Sequence, residues 1–291
     1  MAYSMDELNL LISTICKKFD CNPNDCKIIG KGYTGSVLRI SDTLCVKITE
    51  KKTCPEFPLS IRKSNNLCVP IEMVMSYSGK YCGYIQRYLS SICLQDFVIN
   101  GKVFSERDTS YIIYDILKGL ELLHNNNYVH RDFYPGNIMV HNQNGKNSAV
   151  IIDFDETQKM NTTTKPCFRY NGYHAPEIVL YNENYNEKSE VFAVGIIMWE
   201  LLFGNCPFGG YNYFGAVVAK SWDEYQRNSH YYHQKVSLAL MTLKKSIENV
   251  KILSTDCLDV LARLLDENRN DRISAADALK HAFFNSIGNE M

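Results

Sequence analysis

A chain of 291 residues is long enough for one large domain or for two lobes that share a cleft. Apolar residues make up 45% of it, enough for a packed core, and a formal net charge of −1 excludes the strongly basic balance of a general nucleic-acid or anionic-membrane binder. The 11 cysteines lie among apolar and neutral neighbours, and Cys16, Cys21 and Cys26 are not spaced as zinc ligands. They read as reduced, buried thiols of an intracellular protein, cytoplasmic or nuclear. The start has no basic segment followed by an apolar run, so no signal peptide is expected, and no stretch reaches the roughly 20 apolar residues of a membrane span.

Ser4-Met-Asp-Glu7 is a capping-box pattern, and Leu8, Leu11, Ile12 and Ile15 follow at helical spacing. An amphipathic helix is expected there, within an N-terminal extension over residues 1–27, its apolar face packed on the unit that follows. Ile28-Ile29 enters the stretch Gly30-Lys31-Gly32-Tyr33-Thr34-Gly35-Ser36-Val37, and Leu38-Arg39-Ile40 leaves it. A glycine pattern between two apolar runs reads as a hairpin flap, not as the strand-to-helix turn of a dinucleotide fold. Its glycines let backbone N–H groups approach a phosphate without a Cβ in the way. Leu44 to Ile48 predicts a strand with one lysine, Lys47. Pro55-Glu56-Phe57-Pro58 predicts a short helix that carries Glu56 and is limited by Pro58. Val69 to Met75 and Tyr81 to Tyr88 predict two further strands, completing an antiparallel sheet of about five.

Tyr111, Ile112, Ile116, Leu117, Leu120 and Leu123 keep one face apolar over Asp108 to Asn125, a helix. Beyond it, Asn137-Ile-Met-Val140 and Ala149-Val-Ile-Ile152 flank the polar stretch HNQNGKNS. That pattern predicts two short buried strands turning at Asn144-Gly145. Asp132 and Asn137 precede the first strand and Asp153 follows the second, so folding the hairpin gathers the three. Two carboxylates and an amide of this kind can hold divalent cations on a polyphosphate and accept a hydroxyl proton. The polar, turn-rich stretch from Glu156 to Tyr173 contains Thr162, Thr163 and Thr164. Residues 210–249 are rich in tyrosine and polar groups, carry no motif, and are expected to form surface helices.

His130-Arg131-Asp132-Phe-Tyr-Pro-Gly-Asn137 and Asp153-Phe154-Asp155 together resemble the catalytic core of eukaryotic-type protein kinases, whose pattern is H-R-D, four residues, Asn, then D-F-G. The glycine pattern with Val37, Ala175-Pro176-Glu177, Asn270-Asp-Arg272 and His281-Ala-Phe-Phe284 extend the resemblance over roughly Ile28 to Phe284, in the family's order. It implies an α+β, two-lobed fold: a small antiparallel sheet lobe over 28–89 and a larger, mainly helical lobe over 90–291. It implies a kinase that transfers the γ-phosphate of ATP, with Mg²⁺ or Mn²⁺, to serine or threonine hydroxyls of protein substrates, with no nucleic-acid or membrane partner. Asp132 would be the base. Asn137 and Asp153 would be the metal ligands. Residues 30–37 would cover the phosphates, which Lys47 would grip with Glu56 as its helical partner. Cys45, Val37 and Met139 would enclose the adenine, Gln86 would stand behind it, and Arg87-Tyr88-Leu89 would be the hinge at its edge. A phosphate on one of the threonines could pair with Arg131 and Arg169.

The chain departs from the family pattern at Asp155, where the family has Gly, at Tyr134, where serine/threonine kinases have Lys, and at Glu190, where it has Asp. Tyr170 stands where those kinases carry Thr, while Pro135 follows the serine/threonine pattern. Asp155, Tyr134, Glu190 and the cramped segment around Glu56 motivate an alternative reading, a pseudokinase acting as a nucleotide-binding or scaffolding module. HRDFYPGN also loosely resembles the small-molecule kinases that act on aminoglycosides, but the A-P-E segment and Arg272 favour a protein substrate.

Overall fold

The computed structural model describes residues 5–32, 35–50, 55–143, 145–160, 172–181, 184–207, 222–250 and 252–288. Ser4, Tyr33, Thr34, Thr162, Thr163, Thr164, Arg169 and Tyr170 lie outside the described residues. Contacts divide the chain into two units: Met1–Ser90 with Ile152–Glu156, and Ser91–Ile151 with Thr157–Met291. Residues 152–156, expected in the larger lobe, make their contacts in the smaller unit.

The smaller unit is an antiparallel sheet of β1 (Lys27–Lys31), β2 (Gly35–Arg39), β3 (Leu44–Thr49), β4 (Glu72–Met75) and β5 (Cys82–Arg87), in the order β1-β2-β3-β5-β4. Side chains alternate across a strand. Leu38, Ile40, Val46, Ile48 and Ile85 therefore share one face, and there they bury Leu11 and Ile15 of α1 (Met5–Lys18). The amphipathic helix thus packs where its pattern says it should. Gly83 allows the close approach, because a Cβ there would lie 2.7 Å from Ile15 Cδ1 and 2.9 Å from Val46 Cγ2. Lys18 pairs with Glu72, and Ser78 donates to Glu7, at the rim of this layer. The helix α2 (Leu59–Arg62) has four residues and begins after Pro58.

In the larger unit, α3 (Leu94–Ile99) precedes α4 (Glu106–Asn125), which Ser105 caps by accepting from Asp108 N at 3.0 Å. The predicted hairpin is present: β8 (Ile138–Gln143) pairs with β9 (Lys146–Ile151) from Ile138 opposite Ile151 to Gln143 opposite Lys146, with Gly145 at φ +82° in the turn. Two residues of β6 (Ile92–Cys93) extend this sheet, and β7 (Tyr128–Val129) pairs with β10 (Gln158–Lys159). After α5 (Pro176–Tyr181), the helix α6 (Glu187–Phe203) is apolar nearly all round and buried over most of its length. Asn186 and Ser189 form its capping box, and Gly204 ends it in the left-handed region at φ +68°. The motif-free stretch supplies a long helix, Trp222–Asn249, followed by a shorter one, Thr255–Leu264. The described cysteines are free thiols. No helix among the described residues is long and apolar enough to cross a membrane.

Candidate active site

The sheet register places Val37 opposite Lys47, and Lys47 opposite Tyr84. Directly opposed residues share a face, so Val37, Cys45 and Lys47 lie together on the face away from α1. Gly32 N donates to Gly35 O at 2.8 Å, closing the flap between β1 and β2. Lys31 and Ser36 face each other across that hairpin. The three glycines differ. A Cβ on Gly35 would fall 2.1 Å from the Ile48 carbonyl oxygen, so β3 itself requires glycine there. Gly30 and Gly32 would meet nothing closer than 3.9 and 3.8 Å. The fold leaves both positions open, as a backbone cradle for phosphates needs.

Lys47 is buried, and its ammonium lies 2.7 Å from Asp153 Oδ1 and 2.9 Å from Asp155 Oδ2. Burial alone would lower its pKa, but the charges of Asp153 and Asp155 outweigh that and hold it above the ordinary lysine value. Phe154, between the two acids, packs edge-on against Phe57 with ring centroids 5.4 Å apart. Asp153 has φ +60°, a region that non-glycine residues seldom occupy. Glu56 differs from expectation. It is exposed, and it precedes α2 because Pro58 occupies the N-cap position with the helix starting at Leu59. The expected helical glutamate is therefore not on the helix. The Asp155 contact with Lys47 was not legible, since it joins two short segments far apart in the chain.

The expected hinge has internal partners. Arg87 Nη2 donates to the Ser64 and Leu67 carbonyls at 3.0 and 2.8 Å, and Tyr88 N donates to Thr43 O at 2.7 Å. The Arg87 side chain thus anchors the loop before β4. Cys45 is buried, and its thiol approaches Arg87 O at 3.5 Å. Gln86 lies opposite Cys45 in the register.

In the larger unit, Asn137 Nδ2 donates to Asp132 O at 2.7 Å and to Asp132 Oδ2 at 3.0 Å. The amide thereby fixes the carboxylate of the residue expected to be the base. Met139 lies on β8, opposite Val150 and Cys93. Arg131, at φ +69°, donates its N–H to Glu190 Oε1 at 2.9 Å, while Glu190 Oε2 is 2.8 Å from His124 Nε2. The longer acid at position 190 therefore anchors the strained backbone just before Asp132. Arg131 also lines a polar recess of about 410 Å³ with Lys159, Tyr185, Glu187 and Arg269. Tyr134 fills the space beside Gly136, where a Cβ would lie 2.3 Å from its ring. Glu177 and Arg272 form the expected buried pair, at 2.8 Å between Nη1 and Oε1.

A family model described as a protein kinase domain matches residues 24–284 of the chain. Mitogen-activated protein kinase 13 of Mus musculus is 31% identical over 199 residues, which is 64% of this chain and 52% of the mouse protein. The human protein of the same name is 30% identical over 200 residues, 64% of this chain and 53% of its own length. Calcium-dependent protein kinase 4 of Plasmodium berghei is 28% identical over 276 residues, 88% of this chain and 48% of that protein. The chain spans about half the length of these curated relatives.

Proposed function

The chain belongs to the protein kinase family, and from that premise we propose that it is an active kinase that phosphorylates serine or threonine hydroxyls of protein substrates with ATP and Mg²⁺ or Mn²⁺. The observation that carries this reading is the brace between Asn137 and Asp132 at 3.0 Å. It holds one carboxylate oxygen and leaves Oδ1 of Asp132 outside that bond, available to orient a substrate hydroxyl and take its proton. Asn137 keeps its amide oxygen for a cation, and Asp153, less buried than Asp155, offers a carboxylate; hard oxygen donors of this kind suit Mg²⁺. Bound ATP with its cation supplies the phosphoryl group and neutralises the charge that develops on it. Lys47 presents a cation to the phosphates, and the open positions at Gly30 and Gly32 let the flap's N–H groups approach them. Val37, Cys45 and Met139 are assigned to the adenine. Pro135 supports serine and threonine over tyrosine.

The second reading, a nucleotide-binding or scaffolding pseudokinase, is favoured by one observation: the acid at position 155 touches the phosphate-gripping lysine. The deciding experiment is phosphoryl transfer from γ-labelled ATP to a generic basic protein with Mg²⁺ or Mn²⁺, alongside the Asp153→Ala variant. Label on serine or threonine that disappears in the variant is the expected result. No transfer, with ATP still raising the melting temperature, would shift the assignment to the pseudokinase.

A further inference from the structure

Asp155 occupies the position where the D-F-G pattern has glycine, and its carboxylate lies 2.9 Å from Lys47. The two acids on Lys47 differ in setting. The Asp153 side chain is 33% exposed, whereas those of Asp155 and Lys47 are 9% and 10% exposed. The half-open acid is placed to serve a cation. The enclosed one has the ammonium in front of it, and a second cation approaching Asp155 would meet that like charge. A buried carboxylate is costly unless paired, so the acid and the lysine stabilise each other's position.

The family pattern gives this lysine a partner from a helix. Helix α2 reads LSIR and carries no acid in its first turn, and Glu56 is exposed ahead of it. The segment 152–156 is instead held in the same unit as Lys47, with Phe154 buried against Phe57. Residues 153 and 155, alternate in the chain, both reach the one ammonium. A lysine has three N–H donors. Asp153 accepts one of them, while Asp155 Oδ2 pairs with the ammonium by charge at 2.9 Å without a hydrogen bond, so Asp155 can hold Lys47 without taking the donors a phosphate oxygen needs.

We infer that Asp155 is the positioning residue for Lys47, taking from the segment after β9 the role that the family pattern assigns to a glutamate on a helix. The inference rests on the kinase reading above. Asp155 here is neither an impediment to phosphate nor a metal ligand; it fixes the lysine by its charge.

The test is a double-mutant cycle on the full chain, with Asp155→Asn, Lys47→Met and the double variant. A fluorescent ATP analogue is titrated with Mg²⁺ present, and kcat and KM for ATP are measured separately. Asp155→Asn should weaken analogue binding about tenfold and lower kcat, and it should change nothing further in the Lys47→Met background. Asp155→Gly should behave like Asp155→Asn, which guards against an effect of the buried amide. Nucleotide-free melting curves identify a variant that fails to fold, and Asp155→Glu, which keeps the carboxylate, should recover part of the loss. Unchanged or tighter binding in Asp155→Asn and Asp155→Gly overturns the inference, as does an equal loss with and without Lys47. If the unsubstituted chain does not bind the analogue at all, the kinase reading itself fails and the positioning role falls with it.

Discussion

Arg272 meets Glu177 at two points: Nη1 lies 2.8 Å from Oε1, and Nη2 lies 3.0 Å from Oε2. The same guanidinium donates to the carbonyls of Lys188 and Asp266, each at 2.8 Å, and Ser189 Oγ donates to Glu177 Oε1 at 3.0 Å. The pair thus fixes the start of α5 against the start of α6 and the loop before Arg272. Its hydrogen bonds are satisfied on both sides, which is the condition under which a buried ion pair is tolerated.

Breaking that pair on one side leaves a buried charge. Arg272→Ala should destabilise the protein by about 3–5 kcal/mol. Arg272→Lys should recover only part of this, since an ammonium lacks the two-point fork. Urea denaturation measures both, and an Arg272→Ala loss of the size of an ordinary surface change would show that the pair is structurally idle.

Glu190 accepts the Arg131 N–H and pairs with His124. Glu190→Ala should cost about 2–4 kcal/mol through the unpaired groups it leaves, and it should lower kcat by loosening the backbone that carries Asp132. Glu190→Gln keeps an oxygen for Arg131 N and should cost less. Denaturation and initial rates on the two variants check the order.

Burial pushes the Glu200 carboxyl from its ordinary 4.5 up to about 7, against the lowering effect of the hydrogen bond that Tyr173 donates at 2.8 Å. The native state therefore holds a proton that the unfolded chain releases above about pH 4.5. Stability should fall as pH rises from about 4.5 to about 7, by roughly 3 kcal/mol, and level off beyond. Glu200→Gln should remove this contribution to the slope. Unfolding free energies across that window, with and without the substitution, measure it.

Gly83→Ala should drive a methyl into Ile15 and Val46 and cost about 1–3 kcal/mol. Ile15→Ala should itself be destabilising, by about 2–5 kcal/mol, through the cavity it leaves. The double variant should cost less than the sum, because the shortened side chain makes room for the new methyl. Additive losses in a thermal or urea series would mean that α1 does not sit against Gly83.

Much of this architecture could be read from local signals. The hairpin of β8 and β9 was legible because two apolar runs bracket a polar turn with glycine at the residue that takes positive φ. The N-terminal helix was legible from its period, and the Glu177–Arg272 pair from a familiar arrangement of motifs. What escaped was set by distance or by a single backbone constraint. Pro58 starts α2 one residue later than itself and so leaves Glu56 ahead of the helix. Lys47 and Asp155, like His124 and Glu190, meet only because separate elements pack, and no period or spacing in the chain announces either contact. The long helix Trp222–Asn249 has no motif to mark its length.

The five residues Ile152–Glu156 have one further consequence. The chain leaves the smaller unit after Ser90, returns to it for this short loan, and departs again, so that unit is not one uninterrupted stretch of sequence. A fragment ending at Ser90 would retain every strand of the sheet yet lose Asp153, Phe154 and Asp155 together. Its lysine would be stripped of both counter-charges, and Phe57 would lose the ring it packs on. Neither truncation nor recombination at a single joint can transplant this unit intact; its inheritance is tied to a segment encoded some sixty residues downstream.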